Sequence, residues 1–230
     1  MIISGTRLVG GTYKTSGTVT NGLTMWLDAG NPASYPGSGS TWTDLSGNGA
    51  DATLFGTPTY SSSNGGYFTF VPASTQYATV TGTPLNPTNY TKSIWCMFNT
   101  STDNNLMSSN TGGHYMFTGG TNRLYCGHQN WTGFPTTYPS TATISNSVWY
   151  NFTLTFNTTA GMTLYINGAQ DSTYTAQLTA PAGGQVNLAS FSAGGNLLNG
   201  RIAQALLYSV TLSAGEVLQN FNASRSRYGL

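Results

Sequence analysis

Apolar residues recur at every second position through most of the chain, in short runs separated by Gly-, Pro- and Asn-rich breaks. Tyr150, Phe152, Leu154 and Phe156 fall on one face of such a run, with Asn151, Thr153 and Thr155 on the other. Met162, Leu164 and Ile166 repeat the alternation beyond a break at Thr159-Ala160-Gly161, which predicts a hairpin. Leu23-Thr24-Met25-Trp26-Leu27, Tyr67-Phe68-Thr69-Phe70-Val71 and Tyr77-Ala78-Thr79-Val80 read as further strands. Ile94-Trp95-Cys96-Met97-Phe98 is apolar at both parities, which predicts a central strand covered on both sides. No helical period intervenes among these runs. They predict an all-β, antiparallel sandwich.

One segment departs from this pattern. Ser213 can cap free backbone N–H groups while Glu216, three residues on, reaches back to the Ser213 N–H, so a helix is predicted from Ser213 to about Ser224. Val217, Leu218 and Phe221 supply an apolar stripe for docking on the sheet. Residues 1–21 read as an extended Gly- and Thr-rich arm with Ile2, Ile3, Leu8, Val9 and Tyr13 as anchors. Asp28 to about Thr53 reads as a long loop. Without internal repeats or a long linker, residues 22–230 form one domain.

Composition narrows the classes of function. Charged residues are 6% of 230, against about 25% in ordinary soluble domains, and 29 glycines help to fill the deficit. Aromatic residues at 13% supply enough burial to oppose chain entropy, so the chain is not disordered. A net charge of +1 gives no basis for nucleic-acid binding. Arg225 and Arg227 are read as complementing the helix C-terminus. The N-terminal residues lack a signal-peptide pattern, and no apolar run reaches membrane-spanning length. Cys96 and Cys126 lie in apolar runs, where two buried free thiols are favoured over a disulfide.

From about Gly22 to Phe221 the chain resembles the laminin-G-like, concanavalin A-like lectin/glucanase superfamily. Phe68-Thr69-Phe70, Gln76-Tyr77-Ala78-Thr79-Val80, Ser93-Ile94-Trp95 and the Trp149–Phe156 run carry the resemblance. Leu164-Tyr165-Ile166-Asn167-Gly168, Asn199-Gly200-Arg201-Ile202 and Leu207–Glu216 continue it. It implies a jelly roll of two packed sheets with one C-terminal helix, often binding glycans or proteins through loops and sometimes through calcium. A narrower resemblance, to the version in tailed-phage virion proteins, rests on Trp26–Asn31, Trp42–Gly49, Val217–Ala223 and Arg227–Leu230. It implies a capsid-decoration or fibre-type component of the virion, assembled in the host cytoplasm. Its partners would be other virion proteins, copies of itself, and host surface glycans. The alternative is a free carbohydrate-binding lectin.

The residues argue against catalysis. Glycoside hydrolysis needs two carboxylates across the scissile bond, and the carboxylates are Asp28, Asp44, Asp51, Asp103, Asp171 and Glu216. No two share a short strand at i, i+2. His114 and His128 lie near no Gly-x-Ser-x-Gly turn, and neither cysteine has zinc-like spacing to them. Asp44, Ser46 and Asn48 place three oxygen side chains at alternate positions and are the candidate calcium ligands. An Asx-turn, in which Asp44 and Asn48 bond their own backbone, is the favoured reading of the same residues, so no cofactor is expected. Where the superfamily resemblance would place an acidic pair after Asn-Gly-x-Ile, this chain has Ala203-Gln204. The candidate ligand-contacting residues are Asn130, Trp131, Phe134 and Tyr138, in a Gly/Pro-broken loop whose rings could stack on sugars. Folding of Trp131 and Phe134 back over the sandwich end, or into a subunit interface, is the competing reading.

Overall fold

In a computed structural model the described residues are 17–82, 85, 88–100, 103–109, 114–128, 138–175, 180, 184–192 and 194–230. Eight strands make the back sheet. Ala169–Tyr174, Gly161–Ile166, Tyr150–Asn157, Asn89–Phe98, Gly200–Tyr208, Tyr67–Phe70 and Thr59–Ser61 follow one another across it. Gly200–Tyr208, the closing strand, pairs antiparallel with Asn89–Phe98 on one side. On its other side lie Tyr67–Phe70 at its start and Leu23–Asp28 at its end. The facing layer is in two parts. Five strands, Thr41–Trp42, Ala52–Phe55, Tyr77–Val80, Val186–Leu188 and Met107–Ser109, form one. Tyr138–Pro139, Arg123–Gly127, Tyr115–Gly119 and Asn104–Asn105 form the other.

Alternation places the core between these layers. Phe152, Leu154 and Phe156 from the back sheet pack in one cluster with Ala78, Val80, Leu124, Val186 and Leu188 from the facing strands. All eight are fully buried, which makes this cluster the main apolar driving force for the fold. The opposite face of the back sheet is also covered. Trp95, Trp149, Ala203, Phe221 and Tyr228 form a second cluster there, and the Trp95 indole N–H donates to Ser224 Oγ at 2.8 Å. That cover explains why Ile94–Phe98 is apolar at both parities. It also buries Asn151 and Thr153, whose side chains bond to Ser93 Oγ at 3.2 and 2.8 Å.

The helix runs from Ala214 to Ser224, with Ser213 as its cap and the reciprocal Ser213–Glu216 box in place. Its docked face differs from the stripe expected. Val217, Asn220, Phe221 and Ser224 are buried, while Leu218 is 46% exposed. Offsets of three, four and seven keep those four residues on one face, and the polar Asn220 is accepted because both its amide oxygen and its amide nitrogen are hydrogen-bonded. It accepts from Val19 N–H at 2.8 Å and donates to the Tyr208 hydroxyl at 3.0 Å. Residues 17–20 of the expected arm are therefore joined to the helix and the closing strand, Gln219 also donating to the Gly17 carbonyl. Residues 1–16 lie outside the described residues.

Two further expectations are corrected. The segment 28–53 is not wholly loop: Thr41–Trp42 pairs with Thr53 and Ala52, because Trp42 is fully buried and packs edge-on against Phe68 at 4.9 Å. Arg227 does not serve the helix C-terminus. Its guanidinium forks onto Asp28 at 2.8 and 2.7 Å and also reaches the Gly65 carbonyl, clamping the C-terminal 3-10 turn Arg225–Tyr228 onto the Leu23–Asp28 strand. Arg225 lies over the Phe221 ring, 5.7 Å from its centroid.

Candidate functional site

Asp44, Ser46 and Asn48 do come together, but in a closed mesh. Asp44 Oδ1 accepts from the N–H groups of Trp26 at 2.7 Å and Ser46 at 3.0 Å. Oδ2 accepts from Ser46 Oγ–H at 2.6 Å and from the N–H groups of Ala50 and Asn48 at 3.2 and 3.3 Å. Asn48 donates to the Leu23 carbonyl and to Ser46 Oγ. Burial pulls the Asp44 pKa up, yet the bonds from Ser46, Trp26 and Ala50 outweigh it and hold the carboxyl below its ordinary value. With donor hydrogens directed at both oxygens, the donor set does not fit a calcium ion, which needs their lone pairs. The Asx-turn describes this loop. Excess calcium and a chelator are each expected to leave Tm unchanged in a thermal melt; a calcium-dependent rise of several degrees would contradict this geometry.

The remaining carboxylates also hold structure. Asp28 binds Arg227 and accepts from Gln204 Nε2 at 3.0 Å, so Gln204, one of the two residues standing in place of the acidic pair, has a framework role. Asp51 accepts from the Asp44 N–H at 2.7 Å, and Asp171 from Thr141 and Ala142 N–H at 2.6 and 2.8 Å. Asp103 accepts from the amides of Asn105 and Asn196. Among the described residues no group of three or more His, Cys, Asp or Glu is arranged to hold a metal. Cys96 and Cys126 are free and buried. His114 and His128 are buried together, ring centroids 4.7 Å apart, and His128 Nε2 bonds the Tyr90 hydroxyl. Beside them lies Lys92, fully buried in the core, its ammonium donating to the His114 carbonyl at 2.9 Å.

Of the aromatic loop, Asn130, Trp131 and Phe134 lie outside the described residues. Tyr138 is half-buried on Tyr138–Pro139, paired with Cys126, and its ring centroid is 4.4 Å from that of Tyr174.

Among the described residues, accessible aromatic surface also lies at another place. Where the chain crosses from Ala52–Phe55 in the facing layer to Thr59–Ser61 in the back sheet, it leaves a cleft of about 590 Å³. Tyr35, Leu54 and Tyr60 line its inner side, the Gly37–Ser40 segment lies on one flank, and Phe55 to Pro58 form the other. Tyr35 is anchored by its ring contacts to Tyr60 at 5.0 Å and Phe68 at 4.7 Å, and by its hydroxyl bond to the Gly39 carbonyl at 3.0 Å. Phe55, 40% exposed, lies parallel on Tyr77 at 4.8 Å, which holds the ring with one face supported. Exposed Ser38, Ser40 and Thr57 add hydroxyls at the rim.

The crossover is rigid for a stated reason. Gly56 and Thr57 are both left-handed, at φ 69° and 58°. A side chain on Gly56 would stand 2.5 Å from the Ser74 carbonyl oxygen, so only glycine fits. Gln76 then pins the turn: its amide donates to the Gly56 and Thr57 carbonyls at 3.0 and 2.9 Å and accepts from Val71 N–H at 2.8 Å. Backbone strain at an exposed threonine, held by a buried side chain, is the kind of pre-organisation that binding clefts use. Sequence reasoning missed this cleft. Its one local signal was the Gly-Thr-Pro break between Phe55 and Tyr60; the approach of Tyr35 is tertiary.

A two-layer antiparallel sandwich closed by a C-terminal helix, with an aromatic cleft at its edge, defines a lectin-type jelly roll. Residues 72–218 match a laminin G family described as the concanavalin A-like lectin/glucanases superfamily, and the chain belongs to that superfamily. No curated protein sequence matches the chain. Among solved structures, the botulinum neurotoxin type G receptor binding domain is similar with a TM-score of 0.68 and 15% identity, covering 88% of this chain and 51% of that one. The binding domain of Paraclostridial Mosquitocidal Protein 1 gives 0.66 and 17%, covering 89% and 52%. Trypanosoma rangeli sialidase gives 0.62 and 15%, covering 90% of this chain and 33% of that one. The chain thus spans between about a third and about half of these solved chains, and at such identities the likeness is one of fold.

Proposed function

We propose that this protein is a non-catalytic carbohydrate-binding domain that grips a saccharide in the Tyr35–Phe55–Tyr60 cleft. The observation that carries the reading is the cleft itself: aromatic rings and hydroxyls converge on a space of about 590 Å³ whose walls are held by Gln76 and by ring packing. That size falls within the roughly 300–1,000 Å³ of ordinary ligand sites. Ring faces suit the C–H surfaces of a sugar, and serine, threonine and backbone groups suit its hydroxyls. Receptor-binding domains and a sialidase share the fold, which is compatible with glycan recognition and assigns no residue to it. Each of the six side-chain carboxylates accepts framework hydrogen bonds, which favours binding over hydrolysis. The test is a glycan array with the full chain, followed by calorimetry on any ligand found. Saturable binding to at least one saccharide class without release of reducing sugar is the expected result. Reducing-sugar release would sink the non-catalytic reading.

The virion assignment is a setting for such a domain and rests on the sequence likeness at its two ends. Those segments are the ones that the Asp44 mesh and the Asp28–Arg227 clamp tie together, so the likeness covers framework as well as surface. Mass spectrometry of purified particles, with the protein at fixed stoichiometry, is the outcome expected for a decoration or fibre component.

A further inference from the structure

We infer that the saccharide this cleft takes is uncharged, and that acidic sugars, those bearing a sialic, uronic or sulfate group, are rejected. The inference rests on the carbohydrate-binding reading and specifies its ligand. Every side chain lining the cleft is neutral: Tyr35, Ser38, Ser40, Phe55, Thr57 and Tyr60 supply its chemistry, and Leu54 and Pro58 complete the wall. An anionic sugar leaving water for an aromatic-walled site loses hydration of its carboxylate, and a cation paired with it is the strongest offset to that loss.

Among the described residues no cationic side chain lines the cleft. The described residues hold few cations, and each is committed elsewhere. Arg227 is held in a two-pronged bond to Asp28 and also binds the Gly65 carbonyl. Arg201 lies over the Tyr67 ring, Arg123 binds the Ser140 and Thr141 carbonyls, Arg225 lies over Phe221, and Lys92 is buried in the core. The carbonyls of Gly39, Ser40, Gly56 and Thr57 add acceptors to the cleft wall, already bonded by Tyr35, Leu54 and Gln76. Their partial negative charge opposes an anion and favours hydroxyl donors. The lining therefore discriminates by charge as well as by shape.

Matched pairs read this directly: a neutral oligosaccharide and the same oligosaccharide capped with sialic acid, or a neutral glycan and its uronic acid counterpart, titrated against the full chain. The neutral member is expected to bind at least tenfold more tightly, with affinity unchanged between 50 and roughly 500 mM NaCl because no ion pair is made. Phe55→Ala, at an exposed ring, is expected to lower neutral-sugar affinity at least tenfold while Tm holds; Tyr60→Ser reports the inner wall. Equal or tighter binding of the acidic member, lost at high salt, would overturn the inference and leave the carbohydrate-binding reading intact. Neutral-sugar binding unaltered by Phe55→Ala and Tyr60→Ser would move the site out of this cleft and overturn it too. Absence of binding to any member overturns both.

Discussion

Replacing Lys92 with methionine is expected to stabilise the protein by about 2–4 kcal/mol at pH 6, a gain that shrinks as pH rises. Lys92 is fully buried on the inner face of the back sheet, beside Tyr90, the His114 carbonyl and Cys126, and the Arg227–Asp28 pair is the salt bridge found among the described residues. Burial pushes its pKa down to about 7, with the Cys126 thiol pulling weakly the other way. The sign follows from proton counts. Below pH 7 both folded and unfolded chains carry the proton, and the fold bears the whole cost of an unpaired buried ammonium. Between pH 7 and the ordinary lysine value near 10.5, Lys92 binds fewer protons in the folded chain than in the unfolded one, so this group by itself makes stability rise with pH. Burial raises the Cys96 thiol pKa and pushes that of Cys126 up to about 12, so above roughly pH 9 the folded chain binds more protons and stability falls. Wild type should therefore be most stable between about pH 8 and 9, and Lys92→Met should lose the rising limb. Urea titrations of both proteins at pH 6, 7, 8 and 9 measure this. A variant that is less stable than wild type at pH 6 would show that the ammonium is solvated in the folded state.

Cutting the Arg227 side chain to alanine is expected to cost about 3 kcal/mol, a fall in Tm of roughly 10 °C. Asp28 is 5% exposed, and its carboxylate also accepts from Gln204 and the Gly30 N–H. Removing the guanidinium leaves that charge buried with only neutral donors. The same cut frees the 3-10 turn whose Tyr228 stacks on Trp95 at 4.1 Å, so part of the loss is packing. Arg227→Lys keeps a charge but not the fork, and should fall between the two. The double variant Asp28→Asn with Arg227→Met should recover part of the loss, because no lone charge remains. A loss under about 0.5 kcal/mol for Arg227→Ala would place the pair with exposed ion pairs of little consequence.

The interplay of parity and burial explains which features were legible in advance. Tyr150–Asn157 and Gly161–Ile166 were readable as a hairpin because the period of two is a local property of the backbone. The Ser213–Glu216 box was readable because both partners lie within one turn. Val217 and Phe221 were correctly placed on the docked face, whereas Leu218 was misplaced, since neighbours in the chain diverge by about 100° around a helix. Asn151 and Thr153, on the face opposite Phe152 and Leu154, are buried, and a polar residue covered by a distant segment leaves no local mark of it. Of the aromatic loop at 128–139, where the sequence suggests ligand contact, residues 129–137 lie outside the described residues. The cleft draws on Tyr35, Phe55 and Tyr60, from three separate segments, which no local run of aromatic residues marks.

The sequence by itself determined the fold class: alternating runs, glycine-rich breaks and one capped helix leave an antiparallel sandwich as the packing that buries each apolar face. It also determined the poverty of acid–base chemistry, since six carboxylates and two histidines without local pairing leave little to work with. Only the tertiary structure decided what those few charges do. Arg227 meets Asp28 across 199 positions of chain, and Gln204 meets Asp28 across 176. Such contacts depend on sheet order and on a helix folding back, and no period in the chain encodes them. The neutral lining of the cleft was decided in the same way, by which segments the crossover brought together and which cations it left elsewhere.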